Sequence, residues 1–150
     1  MLEQIKETAA WIKEHTQMRP RTAIVLGTGL GHLAEEIDIV DEFPYQDIPN
    51  FPISTVEGHS GKLIFGRLGG KDVMALQGRF HFYEGHSMET VTYPIKVMKK
   101  LGIKTVILTN AAGGVNVYFK PSDLMLITDH INFMGTNPLI GPNDESLGTR

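Results

Sequence analysis

The sequence predicts a single α/β domain over residues 1–150, with a mixed central β-sheet flanked by helices. Two apolar, β-branched runs, at residues 22–26 and 105–109, have the pattern of strands that are covered on both faces. Amphipathic helical spacing of apolar residues lies before and between them, at residues 2–12 and 91–101. Strands that alternate with helices in this way are typical of α/β domains.

Composition and charge fit a globular chain and argue against several classes of function. The chain has 14 Lys and Arg against 17 Asp and Glu, a formal net charge of −3, so a general nucleic-acid binder is not expected. No run approaches the ~20 apolar residues of a membrane span, and the charged N-terminus is unlike a signal peptide, which together predict a cytoplasmic protein. Cysteine is absent, which excludes a thiolate nucleophile, a disulfide framework and a thiolate metal site.

The first part of the chain is predicted to hold one helix, one buried strand and a glycine-rich turn. The spacing of the first helix ends before Arg19-Pro20. The strand at 22–26 runs into Gly27-Thr28-Gly29-Leu30-Gly31, after which the apolar spacing indicates a short helix. Residues 43–60 are rich in proline, asparagine and aspartate, and this composition predicts an extended loop.

A hairpin and a second helix are predicted next. Residues 62–67 and 72–77 are strand-like on either side of Gly69-Gly70, a pair that can take the positive φ of a tight hairpin turn. Ser87 can cap the helix that follows. Pro94 is expected to kink that helix or to shift its start.

Polar or glycine-rich segments follow the predicted strands. A third apolar strand is expected at residues 123–128. Because the ligands of α/β sheets bind beyond the carboxyl ends of the strands, the turns there are candidate binding segments. Asn110-Ala111-Ala112-Gly113-Gly114 is one such turn, in which a ligand could lie against the main chain. The alternative for that turn is simply close packing.

The glycine-rich turn at 27–31 is a candidate anion nest. Its glycines are spaced GxGxG rather than GxGxxG, and Asp47, at the distance of an acidic ribose partner, follows no strand, so a dinucleotide site is not supported. Backbone N–H groups before a helix, together with the Thr28 hydroxyl, can bind an anion. A turn required only for packing is the alternative.

The loop after residue 77 carries the strongest chemical signal. Arg79 and His81 would lie on one side of an extended chain, so a guanidinium and an imidazole can converge on one oxyanion. Glu84 can hydrogen-bond a histidine and fix its tautomer. Tyr83 offers a face for a sugar, or is a core aromatic residue. A surface salt bridge between Arg79 and Glu84, with a solvated histidine, is the alternative for the loop.

The other histidines give weaker signals. His59 lies between glycines just before a strand, where it can approach a ligand, although a lone loop histidine is more often a surface residue. His81 and His86 match no zinc spacing and have no third ligand nearby in the sequence, so no metal site is predicted. The serines fall in no GxSxG elbow, and serine hydrolysis is therefore not supported.

In their order along the chain, these segments resemble the trimeric class of purine nucleoside phosphorylases. The resemblance runs over essentially the whole chain, and its specificity comes from the shared order of the segments. The matching segments are Gly27-Thr28-Gly29-Leu30-Gly31, Gly58-His59-Ser60-Gly61, Gln77-Gly78-Arg79-Phe80-His81-Phe82-Tyr83-Glu84-Gly85, Asn110-Ala111-Ala112-Gly113-Gly114 and Asp129-His130-Ile131-Asn132, followed by Asn137-Pro138-Leu139 and Gly141-Pro142-Asn143.

The resemblance implies reversible phosphorolysis of purine (deoxy)ribonucleosides, such as inosine and guanosine, to free base and (deoxy)ribose 1-phosphate. Inorganic phosphate would be the co-substrate, no cofactor or metal would be required, and the full-length chain would form a homotrimer. The resemblance makes His81 and Glu84 catalytic, with Glu84 orienting the histidine and the phosphate, and places Tyr83 along the ribose. The phosphate-binding positions that it implies are Thr28, His59, Arg79, Phe80, His81 and Ala111.

The resemblance also implies that this chain holds only part of the family's active site, and it leaves two alternative functions open. Chains of the family continue well past the position of Arg150, and their base-recognising residues lie in that later part. This chain is therefore expected to hold most of the phosphate site and little of the base site. The alternatives are methylthioadenosine phosphorylase, which differs mainly in its base and 5′ pockets, and a non-catalytic phosphate- or nucleotide-binding module.

Overall fold

The computed structural model describes residues 1–27, 29–53 and 61–149. Its five strands are β1 (Thr22–Leu26), β2 (Asp38–Pro44), β3 (Lys62–Leu68), β4 (Lys71–Gln77) and β5 (Thr105–Leu108). They form one sheet in the order β2-β3-β4-β1-β5. β1 pairs in parallel with β4 and β5, whereas β3 pairs antiparallel with β2 and β4. The predicted mixed central sheet is confirmed.

Two helices, α1 (Leu2–His15) and α2 (Met88–Leu101), pack together on one face of the sheet. Ser87 caps α2 as predicted, because its hydroxyl accepts a hydrogen bond from the backbone N–H of Thr90 at 3.1 Å. Pro94 lies inside α2, and the helix starts ahead of it. Neither helix, nor any other helix of the described residues, is long and apolar enough to cross a membrane.

The inner strands contribute alternate residues to two apolar layers, as the period of a β-strand requires. In β1, Ala23 and Val25 belong to the core under the helices, whereas Ile24 and Leu26 belong to the core on the opposite face. A short 3-10 helix, Gly31–Glu36, covers the second core. It is the short helix predicted after the glycine-rich turn. β1 is thus buried on both faces, as its sequence predicts.

The hairpin of β3 and β4 follows its prediction closely. Its turn residues Gly69 and Gly70 have φ values of 54° and 74°. Glycine adopts this left-handed region without the steric cost of a Cβ atom. The antiparallel register pairs Lys62 with Gln77, so the start of β3 lies beside the end of β4.

One strand was missed, and two predictions about strands are wrong. β2 was not predicted, because its charged residues lie on an exposed outer strand and give no clean apolar alternation. Residues 123–128 form no strand and are exposed, since no described strand lies beside them to pair with their backbone. β5 was expected to be covered on both faces, yet Leu108 is 67% exposed. β5 is the outermost strand of the described sheet, and neither core reaches it.

The buried hydroxyl of Thr8 links α1, α2 and the segment after β2. Thr8 Oγ1 lies 2.7 Å from the Pro49 carbonyl oxygen and 2.7 Å from the Tyr93 hydroxyl. The Gln4 carbonyl oxygen lies 2.9 Å from the same hydroxyl. Because carbonyls can only accept, the single Thr8 proton is shared between the Gln4 and Pro49 carbonyls, and Tyr93 donates to Thr8. Burial raises the pKa of Tyr93, which keeps its hydroxyl protonated as the donor.

The Thr8→Val variant should lower the free energy of unfolding by about 1–3 kcal/mol. The methyl group has the shape of the hydroxyl but leaves the Tyr93 hydroxyl and the Pro49 carbonyl without their partner. Thr8→Ser is the control, because it keeps the hydroxyl. Urea denaturation measures both variants, and a Thr8→Val protein as stable as the wild type would show that this network contributes no net stability.

Candidate anion-binding site

Three chain segments begin side by side at one edge of the sheet. Because β1, β4 and β5 run in parallel, their carboxyl ends share this edge, where the ligands of α/β sheets bind. The segments that follow the strands begin at Gly27, Gly78 and Thr109. β3 begins at the same edge, so Gly61 also lies there, close to Gly78.

Two hydrogen bonds hold the Arg79 guanidinium at this edge. Its Nη1 donates to the Thr109 carbonyl oxygen at 2.6 Å, and its Nε donates to His81 Nε2 at 3.0 Å. A guanidinium has five N–H donors in a planar fork, and the others have no hydrogen-bond partner among the described residues. The sequence-based expectation that the two side chains converge agrees with these contacts. The alternative salt bridge between Arg79 and Glu84 is not found among the described contacts.

Glu84 fixes the orientation of His81. Because Arg79 donates to Nε2 of His81, the ring proton lies on Nδ1, which donates to Glu84 Oε1. The backbone N–H of His81 donates to the same oxygen at 3.1 Å. Burial by itself would raise the pKa of Glu84, but the hydrogen bonds from His81 outweigh it and hold this pKa below its usual value of 4.5. Glu84 is therefore an anion at neutral pH.

Thr109 connects the three segments and was not singled out from the sequence. Its hydroxyl accepts the N–H of Gly27 at 2.8 Å and donates to the Val25 carbonyl at 2.8 Å. A Cβ atom at Gly27 would meet the Thr109 carbonyl and Arg79 Nη1, so only glycine fits there. The sequence did offer one signal for Thr109: it is a hydroxyl residue at the end of an apolar run, where the carboxyl edge of a parallel sheet is expected.

Tyr45 supports the segment that leads into Arg79 through a hydrogen bond to Gly78. Its buried ring directs the hydroxyl to the Gly78 carbonyl oxygen at 2.7 Å. Gly78 has a φ of 100°, and this left-handed turn leads directly into Arg79. Burial raises the pKa of Tyr45, so the hydroxyl stays protonated and can donate. The sequence placed Tyr45 in an extended loop and predicted no role for it.

The other predicted site residues have different surroundings. Tyr83 is 82% exposed, and its ring stacks on His81 with ring centres 4.7 Å apart. Phe80 is buried in the core, so only its backbone can face a ligand. Ala111 is exposed in the segment after β5. Two predicted phosphate-binding residues lie outside the described residues: Thr28 and His59.

The donors at this edge suit an oxyanion better than a cation. Arg79 supplies a positive charge and unused N–H groups, while Oε1 of the Glu84 carboxylate is held by His81. In the part of the chain that the structure describes, no group of three or more His, Cys, Asp or Glu side chains could hold a metal ion. The fold and the site thus define an α/β protein with a candidate anion site at the ends of its parallel strands.

Comparison with known proteins identifies the family. The family model of the phosphorylase superfamily matches residues 21–150, and the chain belongs to this superfamily. The chain is 58% identical over 150 residues to purine nucleoside phosphorylase 1 of Bacillus subtilis, covering 100% of this chain and 55% of the relative. It is 50% identical over 151 residues to purine nucleoside phosphorylase of Rattus norvegicus, covering 99% and 52%. The chain spans about half the length of the curated relatives it matches.

Solved structures agree with this assignment. Purine nucleoside phosphorylase from Schistosoma mansoni in complex with acetate matches with a TM-score of 0.91 at 47% identity, covering 99% of this chain and 56% of the other. A purine nucleoside phosphorylase in complex with ribose-1-phosphate matches with a TM-score of 0.89 at 48% identity, with the same coverage. The fold class and the resemblance predicted from the sequence are confirmed.

Proposed function

We propose that the complete protein catalyses the reversible phosphorolysis of purine (deoxy)ribonucleosides, with inosine and guanosine as substrates. The products are the free base and (deoxy)ribose 1-phosphate. The observation that carries this proposal is the hydrogen-bonded series from Thr109 through Arg79 and His81 to Glu84, at the carboxyl edge of the sheet. Relatives of the same fold bound to ribose-1-phosphate and to hypoxanthine support it.

Arg79 would bind the phosphate directly, and His81 would line the site and hold the guanidinium through Nε2, since both of its ring nitrogens have partners. The unused N–H groups of Arg79 can form the paired, charge-assisted hydrogen bonds that an oxyanion prefers. Glu84 would keep the His81 ring turned towards that phosphate, and its contact with Nδ1 supports this role. We assign the remaining phosphate contacts to Thr28, His59, Ala111 and the backbone of Phe80.

The reaction requires position and charge more than a nucleophile from the protein. A phosphate oxygen bonds to the anomeric carbon while the bond from that carbon to the purine nitrogen breaks. The electron pair leaves with the base, which takes up the proton released from the phosphate, directly or through solvent. The ribose passes through an oxocarbenium-like state, so a phosphate held as a dianion in line with that carbon accelerates the reaction. Tyr83 would lie along the ribose, and its exposed ring stacked on His81 supports this. We propose that no cofactor or metal is required.

Release of hypoxanthine from inosine tests the proposal directly. The intact natural protein, its mass first determined, should release hypoxanthine only when inorganic phosphate is present, together with an equal amount of ribose 1-phosphate. Release without phosphate would indicate a hydrolase, and no release under either condition would contradict the proposal. No observation favours methylthioadenosine phosphorylase or a non-catalytic module over this reaction.

We also propose that the complete protein is a cytoplasmic homotrimer, as its resemblance to the trimeric class implies. Large exposed apolar side chains support contacts with further protein, since such surfaces mark interaction sites. Val115 is 98% exposed and Phe133 is 94% exposed. Light scattering on the preparation used for the assay measures the oligomeric state, and a monomeric active enzyme would contradict the trimer.

A further inference from the structure

Two buried polar atoms next to the site have no hydrogen-bond partner among the described residues. They are Glu84 Oε2 and His86 Nε2, which lie 3.6 Å apart. The two side chains are only 9% and 15% exposed. Unpartnered buried polar atoms are rare in native proteins and call for an explanation.

The two atoms are suited to each other. Oε1 of Glu84 already accepts two hydrogen bonds from His81, so Oε2 is the oxygen left to accept one. Both the charged imidazole and its Nε2–H tautomer can donate from Nε2 of His86. The separation exceeds a hydrogen bond by about half an ångström, and contacts of this kind shorten when a site closes on its ligand.

The core holds His86 in this position. Its ring meets Phe80 edge to face, with ring centres 5.7 Å apart and planes at 88°. Phe80 is itself buried among the aromatic residues of the main core. His86 therefore approaches Glu84 from the core, whereas His81 holds the other carboxylate oxygen.

We propose that His86 is a positioning residue of the phosphate site. Its Nε2–H holds Oε2 of Glu84, so the carboxylate is fixed by a histidine at each oxygen. A carboxylate fixed in this way keeps the His81 ring, and through it the Arg79 guanidinium, in the geometry that binds phosphate. His86 itself does not touch the substrate. The inference deepens the proposed phosphorolysis and rests on it.

Two variants of the intact natural protein separate the N–H donor from the ring. His86→Phe keeps a flat ring against Phe80 and removes the donor, whereas His86→Gln offers an amide N–H at a similar distance. We expect His86→Phe to raise the KM for inorganic phosphate about 10-fold or more, the loss typical of an outer residue that orients a binding group. The KM for inosine should change less than about twofold, and His86→Gln should restore most of the phosphate KM.

A purely structural role would give a different pattern. In that case His86→Phe would keep the wild-type phosphate KM, or His86→Gln would fail as badly as His86→Phe, and either result would overturn the inference. If His86→Phe does not fold, His86→Met replaces it, since methionine has no donor and fills irregular space. His15→Phe, on the exposed side of α1, is the matched histidine control and should keep the wild-type phosphate KM.

Failure of the inference is distinguishable from failure of the proposed function. If the wild type releases no hypoxanthine with phosphate, the proposed function fails, and calorimetric binding of inorganic phosphate to the same variants still tests His86. A wild-type protein that is active, with a His86→Phe variant identical to it, overturns only the role of His86.

Discussion

Replacing Arg79 by alanine should raise the KM for phosphate by about 10²-fold or more and change the KM for inosine far less. One hydrogen bond to a charged partner contributes about 1.5–3 kcal/mol, and ~1.4 kcal/mol corresponds to a factor of ten. The loss of two such bonds from the guanidinium to the phosphate therefore raises the KM by about 10²-fold or more. Steady-state kinetics with each substrate varied in turn measure the difference. Equal increases in both KM values would contradict the assigned role.

Two further variants show whether the effect comes from the guanidinium at this edge. Arg79→Lys keeps the charge but loses the planar fork, so it should recover only part of the phosphate affinity. Arg67 lies next to the hairpin turn, at the opposite end of the sheet, where its exposed side chain pairs with Asp72 at 3.2 Å. Arg67→Ala removes the same charge from the chain and should leave the phosphate KM unchanged.

A methyl group at Gly27 should damage the same site without replacing any charged residue. The Gly27→Ala variant pushes its Cβ against the Thr109 carbonyl and Arg79 Nη1. Overpacking of this kind typically costs about 1–3 kcal/mol of stability. Because the methyl group lies where the guanidinium meets its anchor, we expect the phosphate KM to rise at least about 10-fold. Denaturation and steady-state kinetics measure the two effects.

Gly31 provides the matched control for stability. A Cβ atom there would meet nothing within 4 Å, and its φ lies outside the left-handed region. Gly31→Ala should therefore leave the free energy of unfolding within about 0.5 kcal/mol of the wild type, the range of an uncrowded surface substitution. A Gly27→Ala variant with the stability of Gly31→Ala and the phosphate KM of the wild type would contradict this prediction. It would show that the close approach of Gly27 to Thr109 and Arg79 does not matter to the site.

The sequence predicted best those features that neighbouring residues determine. Gly69-Gly70 specifies its turn through positive φ values, which glycine adopts without a Cβ clash, and Ser87 caps α2 through a bond to Thr90, three positions away. The contact between His81 and Glu84 is equally local. These predictions depend on chain geometry over a few residues, so they need no knowledge of the sheet.

Several features that depend on pairing between strands far apart in the sequence were missed or wrong. The bond from Arg79 to Thr109 joins residues 30 positions apart, and it exists because β1 lies between β4 and β5 in the sheet. The apolar run at 123–128 looked like a strand, but a strand needs a neighbour for its backbone hydrogen bonds. Exposure of β5 likewise follows from its place at the end of the strand order, which its own four residues cannot reveal.

The carbonyl that holds Arg79 belongs to a residue that continues the pairing of β5 with β1. The backbone N–H of Thr109 donates to the Val25 carbonyl at 3.2 Å, one step beyond the last paired residue of β5. The arginine is therefore anchored to the sheet ladder itself and not to a freely moving loop. The phosphate of the proposed reaction would meet a guanidinium already in place, so little conformational entropy would be lost on binding and more of the interaction energy would appear as affinity.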